Sequence, residues 1–312
     1  MKISVIIRTL NESKYLRELL ESIFNQRTDH QVEVIVVDSG STDDTLKIAC
    51  QYAVKVVRID KADFTFGRSL NLGCEAASGD YLAFISGHCV PVGSDWLDHL
   101  SAPLDSEQAI FTYGKQIGRD TTRFSEQLVF QKYYPDKSRI PQEGFYCNNA
   151  NAMIRREAWS HFRFNENLTG LEDMYLAKQL VVAGHKIAYS AAATVYHIHN
   201  ESWQQTKTRY QRESIALREI MPEVYLSLFD LVSCITRSIF SDFEQMIIGR
   251  EYHRWAEIVA YRFCQYWGSY LGSHDHRKLT RSMKRRYFYP GDNVEGANVE
   301  AQVSRAIADE SP

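Results

Sequence analysis

Residues 32–53 read VEVIVVDSGSTDDTLKIACQYA. A β-branched run, broken only by Glu33, ends at Asp38, as a strand buried on both faces would. Gly40 marks a turn. The Ser, Thr and Asp residues around it are helix-start chemistry, with Asp43 and Asp44 as expected caps, and an amphipathic helix follows.

The same unit recurs on both sides of this stretch. KISVIIR (2–8) reads as a strand, and Tyr15, Leu16, Leu19, Leu20, Ile23 and Phe24 then fall at helical spacing, with Asn11 or Ser13 as the cap. VKVVRID (54–60) is a third strand, SLNLGCEAAS (69–78) a third helix and DYLAFIS (80–86) a fourth strand. Such alternation predicts an α/β fold: a Rossmann-like, mostly parallel sheet flanked by helices.

Ligands of such sheets bind outside the carboxyl ends of the strands. Those ends carry Arg8, Thr9 and Asn11, then Asp38, Ser39 and Ser41, then Arg58 and Asp60. The fourth strand runs into FISGHCVP (84–91), which offers Ser86 and His88. Beyond residue 100 the pattern loosens. NNANAMIRREAW (148–159) reads as a strand entering a helix, GLEDMYLAKQLVVAG (170–184) as a helix ended by Gly184, and HKIAYSAAATVYHIHN (185–200) as a strand pair closing on His197 and His199. From about 201 the chain reads as helical. Leu228, Leu231, Val232, Ile235, Ile239, Phe243, Met246 and Ile247 form one apolar stripe there.

SVIIRTLNESKYLRELLESIFNQ, VEVIVVDSGSTDDTLKIA, NLGCEAASGDYLAFI and GLEDMYL together resemble the inverting family 2 glycosyltransferases of the GT-A fold, with rhamnosyltransferase-like relatives. The resemblance covers residues 1 to about 200. It implies a nucleotide-sugar donor, a divalent metal and a carboxylate base. Asp173 is the implied base and Glu172 its neighbour. Thr9, Asn11, Asp38, Ser39, Arg58, Arg68, Asn71 and Ser86 fall where the family holds the nucleotide. Asn148, Asn149 and Trp203 are expected to meet the acceptor. FISGHCVP stands where the family carries Asp-x-Asp, with Ser86 and His88 replacing the two acids. His88 with His197 or His199 would then hold the metal, and nitrogen ligands favour Mn²⁺ over Mg²⁺. A cationic His88 touching the diphosphate directly is the alternative. The chain is therefore expected to move a sugar onto a glycan or lipid-linked acceptor in surface polysaccharide synthesis. A catalytically inactive nucleotide-binding module of the same fold is the rival.

The bulk numbers constrain partners. A formal net charge of −3 gives no global attraction to nucleic acid or to a membrane. Six cysteines without a C-x-x-C pair indicate neither a zinc knuckle nor a redox motif, and a cytoplasmic protein with reduced thiols is expected. Neither a signal peptide nor a membrane-spanning run is read. The expected organisation is a catalytic domain over 1–200, a helical acceptor, membrane or oligomer region over 201–290, and a polar tail over 291–312. Within the second, the basic and aromatic residues of 277–289 would rest on an anionic leaflet, and the helices offer a surface for a homodimer.

Overall fold

The structure is a computed structural model that describes residues 1–275 together with Met283, Tyr287 and Phe288. Its first four strands are β1 (Lys2–Thr9), β2 (Gln31–Asp38), β3 (Val54–Arg58) and β4 (Tyr81–Ser86). Between them lie α1 (Ser13–Phe24), α2 (Thr45–Ala49) and α3 (Phe66–Ala76). There follow β5 (Cys89–Pro91), α4 (Trp96–Asp105), β6 (Phe111–Ile117), α5 (Phe124–Tyr133), β7 (Asn151–Arg155), α6 (Arg156–Phe162), α7 (Glu172–Val182) and β8 (Ile187–His197). Three long helices close the described chain: α8 (Trp203–Ile220), α9 (Leu228–Ile248) and α10 (Trp255–Ser273).

The eight strands form one sheet in the order β3-β2-β1-β4-β7-β6-β8-β5. The first four are parallel, as the alternation predicts. β7 is antiparallel to β4 and β6, and β5 is antiparallel to β8, so the sheet is mixed. Side chains alternate between two buried layers. Ile6, Ile35, Val37, Leu82 and Phe84 pack under α3 and α7, while Ile3, Val5, Ile7, Val34, Val36 and Ile85 pack under α1 and α4. Leu16, Leu19, Leu20 and Ile23 of α1 are all buried, each contributing about 1.5–3 kcal/mol.

Three local expectations change. The cap of α1 is neither Asn11 nor Ser13. Asp43, across the crevice, accepts from the backbone N–H of Ser13 and from that of Thr45, and so serves α1 and α2 together. Asp44 holds the N-cap position of α2 without a side-chain bond. The segment 187–197 is one strand rather than a pair, because it runs beside β6 with a register shift between Gly114 and Gln116. The apolar residues of α9 do not form one buried stripe: among them Leu231 and Met246 are buried, whereas Val232 and Ile247 face outward.

The chain reverses direction across the sheet between β1 and β4, and there the crevice lies. Register sets its floor: Thr9 pairs with Asp38, Asp38 with Arg58, and Arg8 with Ser86. The C-terminal helices close the other side. α10 crosses α8 closely at Gly268 and Gly272, where a Cβ would sit 2.3 Å from the carbonyl oxygen of Lys207 and 2.2 Å from that of Gln211. The basic segment 277–289 lies, apart from Met283, Tyr287 and Phe288, outside the described residues, as does the tail 291–312. Among the described residues, no helix is long and apolar enough to cross a membrane.

Candidate active site

A cavity of about 540 Å³ opens over the carboxyl ends of β1 and β4. Of the predicted site residues it is lined by Ser86, His88, Asn148, Asn149, Glu172, Asp173, His197 and His199. Residues separated by more than 100 positions meet there because β5 pairs with β8. That ladder sets Cys89 opposite His197, and Ile198 N–H donates to the carbonyl of His88.

The three histidines share one design. His88 Nδ1 lies 2.7 Å from Glu12 Oε1, His197 Nδ1 2.6 Å from Gln116 Oε1, and His199 Nδ1 2.7 Å from Glu126 Oε1. Each Nδ1–H is committed to an oxygen, which fixes the tautomer and turns Nε2 inward. His88 Nε2 and His197 Nε2 are 3.2 Å apart. The three imidazoles offer ligand atoms that all lie within 4.8 Å of one another. Gly87 makes this possible, since a Cβ there would meet Glu12 Cγ at 2.7 Å and prise the turn away from the carboxylate.

Their proton affinities diverge for physical reasons. Burial alone would push the His88 imidazolium down, but Glu12 outweighs it and holds the group above its ordinary value. Burial, followed by the neighbouring imidazoles of His199 and His88, drives His197 well below the usual histidine range. The two shifts fit one arrangement: His88 carries the proton and donates it from Nε2 to the lone pair of His197. A divalent cation would displace that proton.

Glu172 and Asp173 open α7. Glu172 Oε1 accepts from the Arg8 guanidinium at 3.1 Å and from Asn149 Nδ2 at 2.8 Å. Asp173 accepts from the backbone N–H of Asn149 and of Met174, both at 2.7 Å. Burial, then the charge of Glu172, raises the Asp173 carboxyl above the ordinary range. A buried aspartate of raised proton affinity, beside a cavity, suits a proton acceptor.

The other predicted residues are engaged within the fold or stand off the cavity. Asn71 is buried, and both ends of its amide are taken: it donates to the Phe164 carbonyl and Glu166, and accepts from Trp159 Nε1 and the Phe164 N–H. It braces α3 against residues 159–166. Asp38 is also buried, accepting from Gly40 N–H, Ser41 N–H, the Ser41 hydroxyl and the Thr9 hydroxyl. Ser39 donates its N–H and its hydroxyl to the Thr9 carbonyl. Thr9, Asp38 and Ser39 therefore build the loop after β2 instead of presenting free polar atoms. Asn11, at φ +56, accepts from Thr42 N–H in the same loop. Arg58 and Arg68 are exposed and do not line the cavity. Trp203 lies off the cavity, its ring covered by the Arg123 guanidinium at 3.7 Å. Asn149 lines the cavity but spends its amide on Glu172 and Arg8, so it orients the carboxylates. Asn148 accepts from Gln116 and the Ala150 N–H.

The cavity also gathers residues that no sequence motif marks: Gln116, Arg209 and Arg212 line it, and Glu12 and Glu126 stand behind its histidines. Arg8, expected at the end of the first strand, is the one charge in SVIIRT (4–9). Arg8 and Arg212 both lie over the ring of Phe66, at 5.1 and 4.5 Å, on the cavity wall. Arg209 donates to Glu126 and Glu201 and so props the carboxylate that holds His199.

A strand-end crevice with a carboxylate pair and a cation-ready cluster suits group transfer from an anionic donor. The profile of glycosyl transferase family 2 matches residues 4–162, just over half the chain, and the protein belongs to that family. The O-antigen chain rhamnosyltransferase RfbN of Salmonella typhimurium is 28% identical over 224 residues, 67% of this chain and 70% of that protein. WbaN of Salmonella anatum, also an O-antigen chain rhamnosyltransferase, is 26% identical over 60% of this chain and 63% of its own. Among solved structures, the mannosyltransferase PcManGT from Pyrobaculum calidifontis, in complex with GDP-Man and Mn²⁺, superposes with TM-score 0.62 at 14% identity over 88% of each chain. Residues 1–349 of S. aureus TarS, in complex with UDP-GlcNAc, superpose with TM-score 0.54 at 18% identity, over 90% of this chain and 95% of that one.

Proposed function

We propose that this glycosyltransferase moves a sugar, with inversion, from a nucleoside diphosphate donor to a hydroxyl of a glycan or lipid-linked acceptor in surface polysaccharide synthesis. The observation that carries the reading is the meeting of Asp173, Glu172 and three inward-facing imidazoles in one cavity. The two rhamnosyltransferase relatives make a nucleoside diphosphate rhamnose the first donor to test.

In this mechanism Asp173 removes the acceptor proton as the acceptor oxygen attacks the anomeric carbon. The bond from that carbon to the diphosphate breaks, and the electron pair leaves with the nucleoside diphosphate. Glu172, clamped by Arg8 and Asn149, keeps Asp173 basic by charge repulsion and fixes its orientation. Arg8 and Arg212 supply positive charge at the cavity wall. The donor set fits a divalent ion. His88, His197 and His199 would hold it, and three nitrogens favour Mn²⁺ over Mg²⁺. When bound, such an ion neutralises charge building on the leaving diphosphate.

The test is nucleoside diphosphate release from a donor panel, with and without acceptor. Asp173→Asn is expected to bind donor within a few-fold of wild type and to lose about 10²- to 10⁴-fold in transfer, as for a general base. Wild-type turnover in that variant would remove Asp173 from the mechanism.

A further inference from the structure

α9 and α10 form an antiparallel hairpin. Its seam is marked by the bidentate Asp242–Arg262 pair, with both contacts at 2.7 Å, and by the Ser238–Tyr266 hydroxyl bond. Phe229, Val232, Thr236, Phe240, Phe243 and Ile247 share one face of α9 by their spacing, as do Trp255, Val259, Phe263, Trp267 and Tyr270 on α10. Both stripes are turned in the same rotational sense from the seam. In antiparallel helices equal senses fall on the same side, so the hairpin presents a single uncharged face. That face is open: Phe229 is 81% exposed, Phe240 73%, Trp255 60% and Phe263 52%.

At about 150–250 Å² for an aromatic side chain, these four rings alone leave roughly 400–650 Å² uncovered. The largest apolar patch on a typical monomer is about 300–600 Å². Val232, Tyr252, Ile247 and Val259, also exposed, bring the face to the order of the 800 Å² per partner that a stable interface buries.

We infer that this face is the dimerisation surface for a second copy of the chain, two hairpins packing across a two-fold axis into a four-helix layer. Area selects this occupant, since a face of this order is what one partner of a two-fold interface buries. Asp230, Glu244, Glu251 and Glu257 accompany Arg237, Arg250 and Arg254 along the hairpin, a balance that lets two copies meet without net repulsion. The chain's own tail is a poor cover, since residues 291–312 contain no aromatic and only Val294, Val299, Val303 and Ile307 as large aliphatics.

Sedimentation of the full chain is expected to show a dimer at micromolar concentration, and Phe240→Glu and Phe263→Glu to shift it to monomer by at least tenfold in dissociation constant. Both side chains are exposed, so the variants should keep the wild-type circular dichroism and melting transition. They should also keep donor binding, because the face lies off the cavity. A wild-type monomer at 100-fold higher concentration, or a dimer that survives both substitutions, would overturn the assignment. So would flotation of the wild type with lipid vesicles that either substitution abolishes, since the face would then belong to a membrane.

Discussion

His88, His197 and His199 differ chiefly in what their Nδ1 atoms hold, and that difference sets their chemistry. A carboxylate partner raises the basicity of the far nitrogen, whereas an amide only orients it. Calorimetry on chelator-stripped protein should therefore detect Mn²⁺ binding that His197→Ala abolishes. Replacing Glu12 by Gln should weaken it about 10- to 100-fold, the usual effect of losing an outer hydrogen-bond partner. His88→Asp should move preference toward Mg²⁺, because oxygen suits the harder ion. Equal affinity for both ions in wild type and variant would break the link between ligand type and metal. Asp38 shows the opposite economy: four donors converge on one buried carboxylate, which ties the loop after β2 to the end of β1.

At the scale of elements, the Asp242–Arg262 pair is the joint on which the C-terminal helices turn. Ser125 of α5 donates to the same carboxylate at 2.6 Å, so one buried acid ties α5, α9 and α10 together. Removing one partner of a buried pair strands the other charge. Asp242→Asn is expected to cost about 3–5 kcal/mol in urea unfolding. It should also reduce transfer, because α8 and α10 wall the cavity with Arg209, Arg212 and Tyr266. A loss below about 1 kcal/mol, the range of an exposed pair, would mean that water reaches the joint.

For the whole molecule, pH acts through two buried carboxyl groups shifted in opposite directions. Glu126, between His199 and Arg209, is held down to about 2 although burial alone would raise it. It takes up its proton less readily folded than unfolded, so its contribution to stability is full above about pH 4.5 and is lost as pH falls toward 2. Asp173 is shifted upward, so it stabilises the fold most when protonated, and that contribution fades as pH rises from the ordinary aspartate range through its raised value. Its activity runs the other way, because the base must be ionised. The acid limb of kcat/KM should therefore lie above the ordinary aspartate range of about 4. Glu172→Gln, which removes the repelling charge, should move that limb downward. A limb that stays in place would assign it to another group.

Much of this was legible along the chain because it is local. The period of the strands, the glycine turn at Gly40 and the acidic first turn of α7 are short-range patterns, and they specify the α/β alternation and place Asp173 at a helix start. His197 and His199 announced themselves by spacing. What pairs with what was decided only by the tertiary structure. Glu12, Gln116 and Glu126 lie on three separate elements, and nothing in their neighbours marks them as the acceptors that aim three imidazoles. Asn71 and Asp38 occupy positions that read as ligand contacts, yet their hydrogen-bonding capacity is spent inside the fold. Hydrogen-bond satisfaction is a property of packing, and so is the open face of the last hairpin. An apolar helical stripe is written in the sequence, but whether it meets a core or faces outward depends on which side the rest of the molecule covers.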